Sequence, residues 1–205
     1  MTLVSLKAAP SREVGVFEAE FPDGSRLLFS NEYLSEDLRE SIEGGRELSG
    51  QEEEALRFAA SCFLAEKGAL RLIARAEQSS LGLAAKLERR GHDASVIKAV
   101  VSRLLERDLL NDERFAELWV HSRLSYGKAK SPLSLRVSLG KKGIDRHLSV
   151  KAIAGLLDPE TEHALLLNYL EKAGLSDGRN DNFLKTRLKN EGFSCEVLDR
   201  YFDSL

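Results

Sequence analysis

Histidine, cysteine and paired carboxylates are the side chains with which a chain like this would ligate a metal or move a proton. Their spacing here argues against both. His92, His121, His147 and His163 stand apart with no ligand-like pairing, and no H-E-x-x-H occurs. Cys62 and Cys195 lie far apart without metal-ligand spacing, and both read as buried thiols. G-x-S-x-G and a Walker-type glycine loop are absent as well. Asp112 and Glu113 are adjacent carboxylates, but they open a helical segment, where the macrodipole accounts for them. The expectation is a non-enzyme with no cofactor, no metal and no small-molecule substrate.

The chemistry that the sequence does offer is recognition of negative charge. Arg89 and Arg90 directly precede Gly91, and Lys141 and Lys142 directly precede Gly143. Between them, "SYGKAKSP" contributes Tyr126, Lys128 and Lys130 as a flexible basic link, with Arg136 in the same neighbourhood. Arg123 stands one helical turn beyond Trp119, placed to cover the indole, while Phe115 and Trp119 read as core anchors of the first repeat. Cations near a helix C-terminus also offset the dipole, so each pair taken alone fits either role. The distribution of charge favours binding. Residues 1–60 carry 6 Lys and Arg against 13 Asp and Glu, residues 61–155 carry 18 against 10, and residues 156–205 carry 6 against 10. A net charge of -3 therefore hides a basic middle between acidic ends, as suits a partner with negative charge.

These side chains must be positioned by helices whose ends follow one rule. Gly91, Gly143 and Gly192 each have a leucine four residues before (Leu87, Leu139, Leu188). His92, Ile144 or Phe193 follows each glycine, and then Asp93, Asp145 or Ser194. A left-handed glycine with an apolar contact across it is a Schellman C-cap, and Asp or Ser after it is an N-cap for the next helix. Twelve residues before the glycines stand Ser79, Ser131 and Asn180, three more N-cap types, with Pro132 at N1 after Ser131. Val96, Leu148 and Val197 recur five residues past the glycines. Intervals of 52 and 49 residues between the glycines make this a repeat.

The remaining segments fit around it. "VGVFEAEF" and "RLLFS" flank an Asp23-Gly24 turn and predict a β-hairpin, and "SEDLRESIEGG" predicts a short amphipathic helix stopped by Gly44 and Gly45. A long helix starts at Ser49, with Gly68 as a point where it would break or kink. The expected organisation is a β-hairpin unit over 1–48, a leading helix over 49–78, three-helix repeats over 79–126 and 127–174, and a truncated repeat over 175–205. The fold class is mainly α: tandem three-helix repeats in an elongated curved array with a small N-terminal β-hairpin unit. No stretch approaches the roughly 20 apolar residues that a bilayer span needs, and the N-terminus lacks a signal-peptide pattern, so a cytoplasmic protein with no membrane partner is expected.

"LLNDERFAELWVHSRL", preceded by "LAAKLERRGHDASVIKAVVSRLLE" and followed by a basic loop and "KKGID", resembles the RecX regulatory proteins, modulators of the RecA recombinase. The resemblance spans residues 70 to 205. It implies a protein that binds in the groove of the RecA–DNA filament and restrains recombinase, ATPase and co-protease activities, with weak DNA contact as a secondary feature. Asp112, Glu113, Arg114, Phe115, Ala116 and Trp119 map to the family block and define the fold. Arg89, Arg90, Arg123, Lys128, Lys130, Arg136, Lys141 and Lys142 map to the basic band. The inter-repeat loop is less arginine-rich than is usual in the family, and "NEG" replaces the basic pair in the third repeat. The alternative is a helical-repeat protein that binds nucleic acid directly, although no recognition helix rich in Arg, Asn or Gln stands out.

Overall fold

The computed structural model describes residues 3–8, 15–175 and 182–204. Near the N-terminus, strands β1 (Ser5–Ala8), β2 (Val16–Glu20) and β3 (Arg26–Ser30) form an antiparallel sheet in the order β1-β2-β3. The β2–β3 hairpin turns where the sequence predicts. The Asp23 carboxylate accepts from the Ser25 amide at 2.9 Å, and Gly24 takes a φ of 77°. Strand β1 escaped the sequence reading, because a four-residue segment with half its residues exposed carries too little alternation to stand out.

The inner face of the sheet brings Ala19, Phe21 and Phe29 onto Leu34, Leu38 and Leu48 and onto Leu56 and Ala59 of a long helix. Leu38 belongs to α1 (Glu36–Ser41), capped by Ser35. The long helix, α2 (Gly50–Ile73), starts with a Ser49–Glu52 capping box and passes through Gly68 without a break. The expected interruption does not occur; the missing side chain gives room to Arg90, whose guanidinium donates to the Gly68 carbonyl at 3.3 Å. Further along α2, Cys62, Ala65 and Ala69 meet Leu83 and Leu87 of α3 (Ser80–Glu88) and Val96, Ile97, Val100 and Leu104 of α4 (Ala94–Glu106). One helix thus serves the sheet core and a helical core in succession.

Beyond α4 come α5 (Asp112–Ser125), α6 (Pro132–Gly140), α7 (Arg146–Leu156), α8 (Pro159–Ala173), α9 (Asn182–Asn190) and α10 (Cys195–Asp203). Their core includes Ala116, Val120, Leu135, Leu139, Ile144, Ile153, Leu166, Leu188 and Phe193. Phe115 and Trp119 pack against this core and not against the α2–α4 core, since the buried side of α5 faces α7. The packing groups the helices as α2–α3–α4, α5–α6–α7 and α8–α9–α10, each a lead helix followed by a glycine-linked pair. Two compact units result: Met1–Glu77 with Leu83–Leu110, and Gln78–Gly82 with Asn111–Leu205.

The glycine constellation folds as its residue types dictate. Gly91, Gly143 and Gly192 have φ of 83°, 83° and 90°, and the amides of His92, Ile144 and Phe193 donate back to Leu87, Leu139 and Leu188 at 3.3, 3.2 and 3.3 Å. This is the six-to-one bond of the Schellman motif, with the three leucines fully buried. Asp145 and Ser194 cap α7 and α10, accepting from Leu148 and Val197. Asp93 has the extended backbone of an N-cap but makes no side-chain capping bond, so the first copy departs from the pattern. Ser79 and Ser131 accept from Gly82 and Ser134 at 3.1 and 3.2 Å, whereas Asn180 lies outside the described residues. Cys62 is buried as expected; Cys195 is exposed, because it occupies the first turn of α10, away from its apolar face.

Candidate interaction surface

Helix α5 is fixed at its start by three contacts. The Asn111 side chain accepts from the Arg114 amide at 2.9 Å. The Asp112 carboxylate takes the Ser80 amide at 2.7 Å and the Ser80 hydroxyl at 2.5 Å. The Glu113 carboxylate pairs with Lys151, and that hydrogen bond and charge hold the Lys151 ammonium above its ordinary range. Both carboxylates of the acidic pair are therefore engaged in holding helices together.

The far end of α5 carries the basic and aromatic groups. Trp119 is half-buried against the core, with the Arg123 guanidinium 4.9 Å from its ring centre and the Lys142 ammonium 5.7 Å from it. Two cations on one indole are ordered in advance, each contact being worth about 0.5–1 kcal/mol at an exposed site. The chain then leaves α5 through Gly127 (φ 60°), and the amides of Lys128 and Ala129 both donate to the Arg123 carbonyl, at 2.9 and 3.1 Å. Ala129 is buried, and Lys172 donates to the Gly127 carbonyl at 3.4 Å, so the segment expected to be a flexible link is pinned. Lys128 sits 5.6 Å from the ring of Tyr126, which is 73% exposed.

The candidate residues divide as follows. Arg123 and Lys142 meet over Trp119, with exposed Lys141 beside Lys142 at the α6 C-cap, and Lys128 stands by Tyr126 with its amide bonded to the Arg123 carbonyl. Lys130 lines a separate cleft with Asn168, Tyr169 and Lys172, and Arg136 lines a third with Pro132, Val150 and Leu157. Arg89 and Arg90 belong to the first compact unit. Arg89 donates to the Ala85 carbonyl of its own helix at 3.1 Å, the helix-end role that competes with binding. Sequence reading missed Lys172, and in the first unit Arg57, Lys67 and Arg71, which line one cleft with Arg90. Their signal was legible, since Arg57, Ser61, Leu64, Gly68 and Arg71 follow helical spacing. Among the described residues no group of three or more His, Cys, Asp or Glu side chains is placed to hold a metal, and no helix is long and apolar enough to cross a membrane.

Comparison with known proteins agrees with this architecture. Residues 68–104 match the family model of the first three-helix domain of RecX, and residues 111–153 that of its second three-helix domain. The regulatory protein RecX of Treponema pallidum (strain Nichols) is 32% identical over 146 residues, which are 71% of this chain and 88% of that protein. That of Chromohalobacter salexigens is 34% identical over 135 residues, 66% of this chain and 82% of that protein. A crystal structure of a regulatory protein RecX shares the fold with a TM-score of 0.70 at 18% identity, covering 100% of this chain and 99% of its own. RecX from Lactobacillus salivarius does so with a TM-score of 0.57 at 22% identity, covering 72% and 99%. With two RecX domain models matched in order and a relative 32% identical over 88% of its length, the chain belongs to the RecX family of regulatory proteins.

Proposed function

We propose that this chain is a cytoplasmic negative regulator of the RecA recombinase that binds in the groove of the RecA–DNA filament and restrains its recombinase, ATPase and co-protease activities. The observation that carries the reading is the Trp119 cluster in a RecX-family chain. Arg123 and Lys142 share one half-buried indole, and Lys128 is anchored beside them by its main chain. Cations held in place lose less rotamer freedom on meeting an anionic surface. A repeat chain that offers several such contacts gains from effective concentration once the first is made. Helix groups wedged against the filament would block access of duplex DNA or repressor to the groove, with DNA itself contacted weakly.

A second reading, direct binding of nucleic acid, rests on Tyr126, whose exposed ring beside Lys128 is a stacking face for an unpaired base. One experiment separates the two: RecA ATP hydrolysis on single-stranded DNA is followed as this protein is titrated in, beside its binding to the same DNA without RecA. A fall in hydrolysis at substoichiometric protein, with little binding to bare DNA, supports filament binding. If hydrolysis falls only when this protein saturates the DNA, the second reading replaces the first.

A further inference from the structure

The first compact unit contains a cleft of about 760 Å³ between β3, α2 and the turn joining α3 to α4. Arg26, Arg57, Lys67, Arg71 and Arg90 line it together with His92, and no Asp or Glu does. Arg26 and Arg57 come from the first 60 residues, which hold 13 acidic groups against 6 basic ones, and Lys67, Arg71 and Arg90 come from the basic middle of the chain. Folding has brought the two sets together. Arg26 is paired with Glu18 and Glu20 at 3.6 and 3.3 Å, and Arg57 with Glu53 at 2.9 Å. Lys67, Arg71 and Arg90 have no carboxylate partner among the described residues; Lys67 lies 5.3 Å above the Phe63 ring.

Two further features select among anionic partners. The cleft lining has no exposed Phe, Tyr or Trp ring for bases to stack on, because Phe63 is buried at 8% exposure beneath Lys67. It offers instead an open strand edge and aliphatic side chains: among the described residues β3 has β2 as its one strand neighbour, and Leu28 and Leu64 are 47% and 66% exposed. An unpaired strand edge is a template for an extended peptide. Lys67 and Arg71 are one helical turn apart, about 6 Å, and alternate residues of a strand recur at about 7 Å, so carboxylates on one side of a bound strand fall in step with these cations.

We propose that this cleft docks an extended acidic peptide segment of a protein partner. Its backbone adds a strand to the free edge of β3, its carboxylates meet Lys67, Arg71 and Arg90, and its alternating aliphatic side chains cover Leu28 and Leu64. The proposal does not rest on the RecA reading, which uses α5 and α6.

The test uses the full chain and a fluorescent peptide of about ten residues alternating valine with glutamate. A glutamine counterpart and an oligo-dT of matched length serve as competitors, and hydrogen exchange of the β3 amides is read in parallel. The acidic peptide is expected to bind at least about tenfold tighter than the glutamine peptide, more weakly as salt rises, and to slow exchange across Arg26–Ser30. Lys67→Glu with Arg71→Glu should weaken it by about tenfold or more. Equal affinity for the glutamine peptide, binding that leaves β3 exchange unchanged, or oligo-dT bound in place of the peptide would each overturn the proposal. The exchange readout on the unaltered chain decides the matter even if the double variant is poorly folded.

Discussion

The Ser79 hydroxyl accepts from the Gly82 amide and donates, at 2.8 Å, to the main-chain carbonyl of Lys142, 63 residues away. Ser131 repeats the arrangement one copy later: its hydroxyl caps α6 and donates to the Glu191 carboxylate at 2.6 Å, while the Leu133 amide donates to the Glu191 carbonyl at 2.8 Å. Lys142 and Glu191 are the residues immediately before Gly143 and Gly192. The N-cap of one copy therefore grips the C-terminal glycine turn of the next. The repeated constellation is at once a helix stop, a helix start and the joint between copies.

That double role separates two glycines of equal φ. A Cβ on Gly143 would lie 2.4 Å from the Leu81 Cβ, whereas one on Gly91 would meet nothing within 4 Å. Gly91→Ala should cost about 1–2 kcal/mol, the backbone strain alone. Gly143→Ala should cost about 2–4 kcal/mol, because α3 must also move away from the joint. Urea unfolding of the two variants checks this, and equal losses would remove Gly143 from the joint.

Arg103 reaches from α4 to Glu66 of α2 at 3.5 Å and to Glu32 at 3.0 Å, with its guanidinium 5.4 Å from the Tyr33 ring. The Tyr33 hydroxyl donates to Glu66 at 3.0 Å, and Glu66 is buried. Arg103→Met leaves that carboxylate without its counter-charge and should destabilise by about 3 kcal/mol. Adding Glu66→Gln should restore part of the loss, which thermal unfolding of the single and double variants measures.

Burial pushes the Cys62 thiol from 9.0 up to about 11, with the Glu66 charge acting in the same direction. Between these values the unfolded chain releases its proton and the folded chain does not, so rising pH favours unfolding. Stability should be unaffected by this group below pH 9 and fall by on the order of 2 kcal/mol as pH approaches 11. The Tyr33 phenol, raised by burial and then by Glu66, adds to the decline at the alkaline end. Denaturant midpoints against pH, with and without Cys62→Ala, isolate the contribution. At neutral pH, exposed Cys195 should react with a thiol reagent in seconds to minutes while Cys62 reacts only through unfolding.

Charge reversal at the Trp119 cluster tests the proposed function. Lys128→Glu with Lys142→Glu should raise the concentration needed to inhibit RecA hydrolysis by about tenfold or more, with folding intact by circular dichroism. Arg136→Glu, in another cleft, should have a smaller effect. Equal inhibition by the Lys128 and Lys142 variant and the unaltered chain would exclude this cluster as the contact.

The sequence by itself determined what depends on a few neighbouring residues. A left-handed glycine, the leucine four before it and the Asp or Ser two after it act within one or two helical turns, so the helix ends could be read directly. The same holds for the Asp23-Gly24 hairpin and for Arg123 over Trp119, four residues apart. Tertiary structure alone decided what depends on distant partners. The period fixed how often the helices recur but not which lead helix packs with which pair, a choice made by the apolar side of α5 facing α7. Lys142 joins Trp119 across 23 residues, and Arg90 joins Lys67 and Arg71 in a cleft with Arg26 and Arg57, two cations from a stretch of sequence that reads as acidic. Coulomb interactions and burial depend on separation in space, and only packing sets that separation.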